Sequence, residues 1–402
     1  MSSDLRRNYI SITSAYWIFT LTDGALRMAV LLHFYSIGYD AFQIAVLFIF
    51  YETAGVITNL VGGWIGARLG LKSTLLSGLT LQVLALSGMA NLDPNWPLWQ
   101  SVGFVVAMQA LSGVAKDLTK MSAKSAVRLI LEQNGNQVLF KWAAILTGSK
   151  NTLKGLGFFL GSVLLTWFGF AMALYILASS VVFAFLFALA STNIGKATEK
   201  VKFSSILSPA SAINILSGAR FFLFGARDIW FVVGLPIFLA SELAWSNTQV
   251  GFYMAFWVIG YGIIQGIAPK LVDGNERSAN HWALALILLT MLISISLYID
   301  FYSGFSVLLG LVIFGFIFAV NSSVHSFLIL AYSEKDKVLL NVGFYYMANA
   351  GGRLVGTLIS GLAYHIGGLI FCLLASTSFL ICCWLITIAL PKLPTNQALE
   401  EI

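Results

Sequence analysis

A series of long apolar stretches is the feature that most constrains how this chain can fold. About 20 consecutive apolar residues cross the hydrocarbon core of a bilayer as one α-helix. Stretches of that length lie near 13–36, 42–66, 72–91, 98–119, 145–168, 170–192, 212–240, 248–269, 281–301, 304–331, 341–364 and 367–390. Hydrophobic residues make up 58% of the chain and charged residues only 10%, against about 25% charged in soluble domains. We therefore predict an all-α membrane protein with about twelve transmembrane helices.

Lysine and arginine occur in alternate connections, which predicts the orientation. The odd-numbered connections between the stretches contain neither residue. The even-numbered connections contain Arg68, Lys72, Lys124, Arg128, Lys141, Lys196, Lys200, Lys202, Lys270, Arg277, Lys335 and Lys337. By the positive-inside rule, the even connections and both termini are cytoplasmic. The net charge of +6 thus reflects membrane topology, and we expect no nucleic-acid binding.

The chain divides into two related halves. Residues 37–45, which include Gln43, match the pattern and position of residues 243–251, which include Gln249. We predict an N-terminal six-helix half at 1–192, a cytoplasmic linker at 193–211 and a C-terminal six-helix half at 212–402. This layout is similar to that of major facilitator transporters, whose substrate site lies at the midplane between the halves.

A glycine-rich connection supports the same interpretation. Residues 62–72 resemble the inner-loop signature of the major facilitator superfamily, with Arg68 and Lys72 in place. Ala67 stands where that signature has an aspartate. A glycine-rich turn with positive-inside charges explains the segment about as well.

Charged residues inside the predicted spans carry the functional argument. A charge at the bilayer centre costs at least about 2.5–3.5 kcal/mol, so each needs a partner, water or a ligand. Seven are basic, namely Arg27, Lys116, Lys150, Lys154, Arg220, Arg227 and Arg353, and four are acidic, namely Asp23, Glu52, Asp117 and Asp228. Three positive charges are then left without a protein counter-ion. We predict that an anionic substrate supplies the missing charge.

Depth separates these residues into two groups. Arg27, Arg227 and Arg353 lie near mid-span, and we predict that they bind substrate together with Asp23, Asp228 and Arg220. Arginine suits this role because its planar fork binds oxyanions bidentately and stays charged. The second group lies nearer the inner helix ends, namely Lys116, Asp117, Lys120, Lys150 and Lys154. It indicates either a basic inner vestibule or lysines that snorkel to the interface.

Symmetry between the halves adds to this hypothesis. Asp23 lies 20 residues before Gln43, and Asp228 lies 21 before Gln249, so we expect the two carboxylates at similar depth. Glu52, Asp23 and Asp228 are candidate proton carriers, and Glu52 is equally interpretable as the partner of a lysine.

Several other residues favour structural roles. Gly157 and Gly161 have the spacing of a helix-packing contact. Asn321 and His325 share a helix face, which favours a hydrogen-bonded structural histidine over a cavity-lining one. All three cysteines, Cys372, Cys382 and Cys383, lie in the last stretch. Because Cys372 and Cys383 are about 16 Å apart along a helix, we expect no metal site at these thiols. No cofactor is expected either.

The chain resembles the ArsJ-type organoarsenical efflux permeases of the major facilitator superfamily. The likeness lies in residues 19–28, 58–64, 109–118, 120–126, 145–151 and 224–231. The resemblance implies a bacterial inner-membrane exporter of 1-arseno-3-phosphoglycerate, which glyceraldehyde-3-phosphate dehydrogenase makes from arsenate, and hence arsenate resistance. The alternative is a transporter of another organic phosphate or organic anion.

Catalysis is not expected. The histidines, His33, His281, His325 and His365, are scattered over separate elements, and the sequence has no nucleotide-binding loop. We therefore expect a monomeric secondary transporter and not an enzyme, driven by the membrane potential or by proton antiport.

Overall fold

The computed structural model describes residues 3–69, 71–93, 95–131, 136–191, 211–272, 275–301, 303–333 and 338–392. Its helices are α1 (Ser3–Ser36), α2 (Ala41–Leu47), α3 (Ile49–Leu69), α4 (Leu71–Ala90), α5 (Leu98–Leu131), α6 (Asn136–Ser191), α7 (Ser211–Phe231), α8 (Gly234–Ser241), α9 (Asn247–Ile267), α10 (Glu276–Tyr298), α11 (Ser303–Ala331) and α12 (Val338–Ile388). A 3-10 turn follows α9 at Ala268–Lys270. The secondary structure of the described residues is otherwise turns and connections, so the all-α prediction is confirmed.

Some sequence predictions lie outside the described part of the chain. The linker at 193–211 does so except for Ser211, as do Lys196, Lys200, Lys202, Lys335 and Lys337. The same holds for the side chains of Arg68, Lys124, Arg128 and Lys141 and for Gly70 of the inner-loop motif. The domain boundaries and the orientation therefore stay predictions.

Ten helical stretches in the described residues are long and apolar enough to cross a bilayer. Two of them, Ser149–Ala190 and Asn341–Ile388, have 42 and 48 residues, twice what one crossing needs. Each turns back at glycine, at Gly169 (φ 73°) and at Gly368 (φ 66°), where the backbone is left-handed. With each of these two stretches counted twice, the described residues provide the twelve predicted spans.

Contacts at three levels show that α6 is a hairpin. Ser149 accepts a hydrogen bond from Trp17 near the middle of α1 (2.9 Å). Phe170 stacks on His33 near the end of α1, with ring centroids 4.1 Å apart. Lys72, at the start of α4, donates to the Leu189 carbonyl (3.0 Å), so the chain has returned to the predicted cytoplasmic end.

Glycines hold α6 against α1 and α12 against α7 in the same way. A Cβ at any of four glycines would overlap a carbonyl oxygen of the facing helix: Gly157 and Gly161 against Leu21 and Ala25, and Gly352 and Gly356 against Phe221 and Gly225. Small residues permit such close backbone approach in membranes. The packing role predicted for Gly157 and Gly161 is confirmed. The matching register also makes Ala25 equivalent to Gly225, and hence Arg27 equivalent to Arg227.

The repeated sequence segments form the same structure. Asp40 and Gln43 make a capping box at the start of α2, with reciprocal backbone contacts of 2.9 and 3.0 Å. Ser246 and Gln249 make another at the start of α9. Both boxes satisfy backbone N–H groups that a helix start leaves unpaired.

The two halves contact each other near both ends of the bundle. At the predicted cytoplasmic end, Asn151 of α6 donates to Gln265 of α9 (3.1 Å). At the predicted outer end, Gly361 of α12 packs against Ala45 of α2. The interface between the halves is thus closed above and below its middle, which is where the charged residues meet.

Candidate functional site

Three arginines and two carboxylates from both halves meet in the middle of the interface. Glu52 of α3 accepts from Arg27 of α1 (2.9 Å) and from Arg353 of α12 (2.7 Å). Asp228 of α7 accepts from the Nε of Arg353 (3.0 Å) and from the neighbouring Arg227 (2.6 Å). We call these five residues the central cluster. Arg353 joins the two carboxylates, and its bond to Glu52 crosses between the halves.

The expectation that the mid-span arginines have no protein counter-ion is wrong. Arg27, Arg227 and Arg353 are all paired, because Glu52 and Asp228 each accept from two guanidinium groups. A positive surplus nevertheless remains, since three guanidinium groups share two carboxylates. A buried ion pair needs such additional hydrogen bonds to offset its desolvation.

Two atoms of the central cluster have unused hydrogen-bonding capacity. Arg27 Nη2 and Glu52 Oε2 are buried and have no hydrogen-bond partner among the described residues. Buried polar atoms nearly always have a partner, either protein or water. These two atoms therefore indicate where a water molecule or a ligand would bind.

A small cavity adjoins the central cluster. Its volume is about 30 Å³, and its polar lining comprises Arg27, Lys154, Arg227, Asp228 and Arg353. A cavity of this size accepts a water-sized group but not an organic anion. Lys154 lies in this lining, so the snorkelling alternative does not hold for it.

Aromatic rings surround the arginines. The guanidinium of Arg27 lies 5.1 Å from the ring centroid of Phe48 and 5.6 Å from that of Tyr51. Arg227 lies 4.9 Å from Phe224 and 5.4 Å from Phe318. Such rings attract cations and keep water out, which strengthens the electrostatic attraction of the cluster for an anion.

Asp23 lies outside the central cluster, and its predicted equivalence to Asp228 is wrong. It accepts a hydrogen bond from Tyr51 (2.6 Å). The register set by the packing glycines makes Asp23 the equivalent of Leu223 in the second half. Leu223 is roughly 7 Å of helix rise from Asp228. Counting back from Gln249 gave the wrong position because the seventh crossing, unlike the first, is broken at Val232 and Val233. The connection after this crossing is also one residue longer than the connection after α1.

The inner lysines of α5 belong to a balanced network. Asp117 accepts from Thr58 and from Lys120 (3.2 Å). The ammonium of Lys116 lies 3.9 Å from the Tyr51 ring centroid, beside the tyrosine that binds Asp23. Lys116 and Lys120 therefore lie beside Asp117 and Asp23, which argues against a vestibule of surplus positive charge. Lys150 is half-buried one turn before Lys154 on α6.

Arg220 of α7 has different partners. Its Nε donates to Asn349 (3.1 Å), and its Nη1 donates to the carbonyl and hydroxyl of Ser322 (both 3.1 Å). No carboxylate of the described residues pairs with it. It is thus a buried cation held by neutral groups, apart from the central cluster.

His325 does not make the hydrogen bonds that the sequence analysis predicts for a structural histidine. It is fully buried beside the charge of Arg220, and neither ring nitrogen has a hydrogen-bond partner among the described residues. Asn321, one turn away, is buried and unpartnered in the same part of the chain.

Sequence reasoning missed Tyr51, Ser322 and Asn349. Each is a polar residue within an apolar stretch, but single residues of these types are common in membrane helices. Only their contacts with Asp23 and Arg220 distinguish them.

Comparison with known proteins agrees with this architecture. The Major Facilitator Superfamily sequence model matches residues 216–401. A mutant of the nucleoside transporter NupG superposes with a TM-score of 0.74 at 16% identity, covering 96% of this chain and 99% of that one. The fold is that of the major facilitator transporters.

Two further structures share the major facilitator fold with this chain. A D-xylose–proton symporter gives a TM-score of 0.74 at 13% identity, covering 98% of this chain and 99% of that one. A POT family transporter in complex with a thioalcohol-conjugated peptide gives 0.72 at 13% identity, with 94% and 95% covered. No curated protein sequence matches this chain. The matched family model and these structures are of transporters, in agreement with the prediction that the chain is not an enzyme.

The central cluster lies at the interface between the halves, and transporters with this fold bind substrate between their halves. Among the described residues, no group of histidine, cysteine, aspartate or glutamate side chains has the arrangement of a metal site. The site as described offers cationic and hydrogen-bonding chemistry for an anion.

Proposed function

We propose that this protein is a secondary transporter that exports a small organic anion by alternating access. The observation that carries the proposal is the surplus of positive charge at the interface between the halves. Arg27, Arg227, Arg353 and Lys154 line its cavity, and two carboxylates, Glu52 and Asp228, face them. An anionic substrate would neutralise the remainder.

Binding would exchange one anion for another. Glu52 occupies Arg27 and Arg353, and the anionic oxygens of a substrate would take its place on the two guanidinium groups. Because the Arg353–Glu52 bond (2.7 Å) joins the halves, this exchange also removes a contact between them. The halves must in any case separate to admit a substrate, since the cavity holds only a water-sized group.

We propose 1-arseno-3-phosphoglycerate as the substrate, in the inner membrane of a bacterium. The support is the resemblance of the segments around Asp23, Lys116 and Arg227 to the organoarsenical efflux permeases. The molecule has two oxyanion groups, which suits arginines at two depths. Glyceraldehyde-3-phosphate dehydrogenase would be the functional partner that supplies it, and its export would protect the cell from arsenate.

The proposal is tested by arsenate resistance in a sensitive host that lacks arsenate efflux. The protein is expressed with and without glyceraldehyde-3-phosphate dehydrogenase activity, and growth in arsenate is measured. We expect protection only when the dehydrogenase is active. Protection without dehydrogenase activity from any source would contradict the proposed substrate.

The central cluster itself is tested by arginine substitution. Arg27→Ala and Arg227→Ala should abolish efflux while the protein still inserts into the membrane. Arg277→Ala removes an exposed arginine at the start of α10 and should leave efflux unchanged. Full transport by either cluster variant would remove the site assignment.

A second candidate function is transport of another organic phosphate. Arsenate and phosphate groups are both oxyanions, and nothing in the central cluster selects between them. Efflux of 3-phosphoglycerate from arsenate-free vesicles, at a rate equal to that of the arseno compound, would favour this candidate.

Transport assays in vesicles distinguish two possible driving forces for efflux. The membrane potential is worth about 2.3 kcal/mol per charge per 100 mV, which is sufficient to drive a multivalent anion outward. Proton antiport would instead use Glu52, Asp23 or Asp228. Efflux that responds to an imposed potential and ignores a pH gradient would exclude antiport.

A further inference from the structure

The carrier has a second buried cationic site in its C-terminal half, around Arg220. Arg220 is 4% exposed. Its hydrogen-bond acceptors in the described structure are the amide of Asn349 and the carbonyl and hydroxyl of Ser322. Neutral acceptors orient a guanidinium but do not neutralise it, and a buried charge without a counter-ion is costly.

Ser322 connects this cation to the interface between the halves. Its hydroxyl lies 3.4 Å from the Tyr261 hydroxyl and 3.4 Å from Gln265 Nε2. Gln265 in turn accepts from Asn151 of the N-terminal half (3.1 Å). The polar side chains around Arg220 therefore reach the contact that closes the predicted cytoplasmic end.

One aromatic ring contacts both Arg220 and an arginine of the central cluster. The guanidinium carbons of Arg220 and Arg227 are 3.8 and 4.9 Å from the centroid of the same ring, Phe224. The two charges cannot be farther apart than these distances combined. Arg220 is seven residues nearer the start of α7, which places it on the predicted cytoplasmic side.

His325 supplies an independent sign that a ligand or water belongs here. It is buried beside the charge of Arg220, and neither of its ring nitrogens has a hydrogen-bond partner among the described residues. Buried polar atoms without a hydrogen-bond partner are rare in folded proteins.

We propose that Arg220, Ser322, Asn349 and Gln265 form an inner anion-binding subsite, which receives an oxyanion group of the substrate before the central cluster does. The inference rests on the proposed function for its place in transport, but anion binding at Arg220 is testable without it. An oxyanion at Arg220 would compete for the Ser322 hydroxyl and so weaken the Gln265–Asn151 contact. Occupation of the subsite would thereby favour opening towards the cytoplasm.

Inorganic phosphate serves as the probe for this subsite. The purified protein is titrated with phosphate at constant ionic strength, and its thermal unfolding is followed. We expect phosphate to raise the unfolding temperature of the wild type. In Arg220→Gln the maximal shift should fall to less than about half, because the charge-assisted hydrogen bonds of the guanidinium are lost. Arg277→Gln, which removes an exposed arginine, should keep the full shift.

A second variant keeps the test decisive if Arg220→Gln folds poorly. Asn349→Asp places a carboxylate at the acceptor of Arg220 Nε and supplies the counter-ion from within. We expect this protein to be at least as stable as the wild type without phosphate and to lose the same part of the phosphate response. A full response in both variants, or none in the wild type, would overturn the subsite.

Transport assays distinguish a failure of the subsite from a failure of the proposed function. In vesicles loaded with 3-phosphoglycerate, Ser322→Ala should raise KM several-fold at the predicted cytoplasmic face and leave KM at the outer face unchanged. Equal changes at both faces would contradict an inner subsite. If no variant and no wild-type protein transports a phosphate compound, the proposed function fails while the phosphate titration still decides the subsite.

Discussion

At the scale of single residues, the central cluster is a set of charges that depend on one another. Glu52 is fully buried and binds two arginines that come from different halves. Breaking a buried pair by removing one partner is costly because it leaves an uncompensated charge. The stability of the empty protein is therefore tied to the residues that we propose for anion binding.

Glu52→Gln tests this dependence. Without the carboxylate, Arg27 and Arg353 lose their common counter-ion, and we expect unfolding free energy to fall by about 3 kcal/mol. Thermal unfolding in detergent measures the loss, and added phosphate should restore part of it. Glu242→Gln changes an exposed glutamate and should have no effect. Equal stability of the two variants would contradict the role of Glu52.

Arg353→Lys tests the geometry of the bridge. The guanidinium of Arg353 reaches Glu52 through Nη2 and Asp228 through Nε, and a single ammonium lacks that fork. We expect efflux to fall at least about tenfold, equivalent to about 1.4 kcal/mol, with normal membrane insertion. Arg277→Lys is the matched control. Wild-type efflux by Arg353→Lys would show that charge alone is sufficient.

The identities of these residues were predictable, but their pairing was not. Charge within an apolar stretch is visible in the sequence, and it identified Arg27, Glu52, Arg227 and Arg353. Glu52 and Arg353 are 301 residues apart, so only the packing of α3 against α12 reveals that they bind each other.

At the scale of helices, glycine contacts make each half a tightly packed unit. The α1–α6 and α7–α12 pairs approach so closely that a Cβ would overlap the opposite backbone. Extra atoms in a well-packed interface force backbone shifts. These two pairs therefore hold the helices that carry Arg27, Arg227 and Arg353 in fixed positions within their halves.

Gly161→Ala should destabilise the protein by about 2 kcal/mol, because the new methyl group meets the Ala25 carbonyl and overpacks the contact. Gly260→Ala is the control, since a Cβ there meets nothing within 4 Å and alanine favours the helix. Unfolding in detergent measures both. A loss no larger for Gly161→Ala than for Gly260→Ala would contradict the close contact.

Helix positions followed well from the sequence, whereas helix breaks did not. The apolar stretches predicted the hairpin turns near Gly169 and Gly367, because two spans cannot be continuous there. The break between α2 and α3 at Phe48 has no glycine or proline beside it, so the local sequence does not predict it.

At the scale of the whole molecule, transport requires that the closed ends of the interface open in turn. Asn151 and Gly262 lie close at one end, and Ala45 and Gly361 at the other. Both contacts join the two halves. Opening at one end should therefore leave the other end closed.

Cysteine crosslinks test this movement in a protein whose three native cysteines are replaced by serine. The pairs Asn151→Cys with Gly262→Cys and Ala45→Cys with Gly361→Cys should each form a disulfide that stops efflux until it is reduced. Ile293→Cys with Gly310→Cys, with Cβ positions 3.8 Å apart, joins helices of one half and should leave efflux intact. Efflux through either crosslinked interface would contradict alternating access.

The two-half architecture followed from the duplicated segments around Gln43 and Gln249, and the structure reproduces it in paired capping boxes. The closed state of the interface could not be predicted, because it depends on contacts between α6 and α9 and between α12 and α2 that no local pattern reveals.

The shared carboxylate has a consequence for the return of an unloaded carrier. An exporter must reset after it releases its cargo, and three bare cations would resist passage through the closed, water-poor conformation. In the export cycle that we propose, Glu52 takes the place of the released oxyanion on Arg27 and Arg353, so the empty protein closes with these charges paired. Glu52 also determines the minimum affinity that a substrate needs. A molecule that binds Arg27 and Arg353 less tightly than Glu52 does cannot displace its carboxylate.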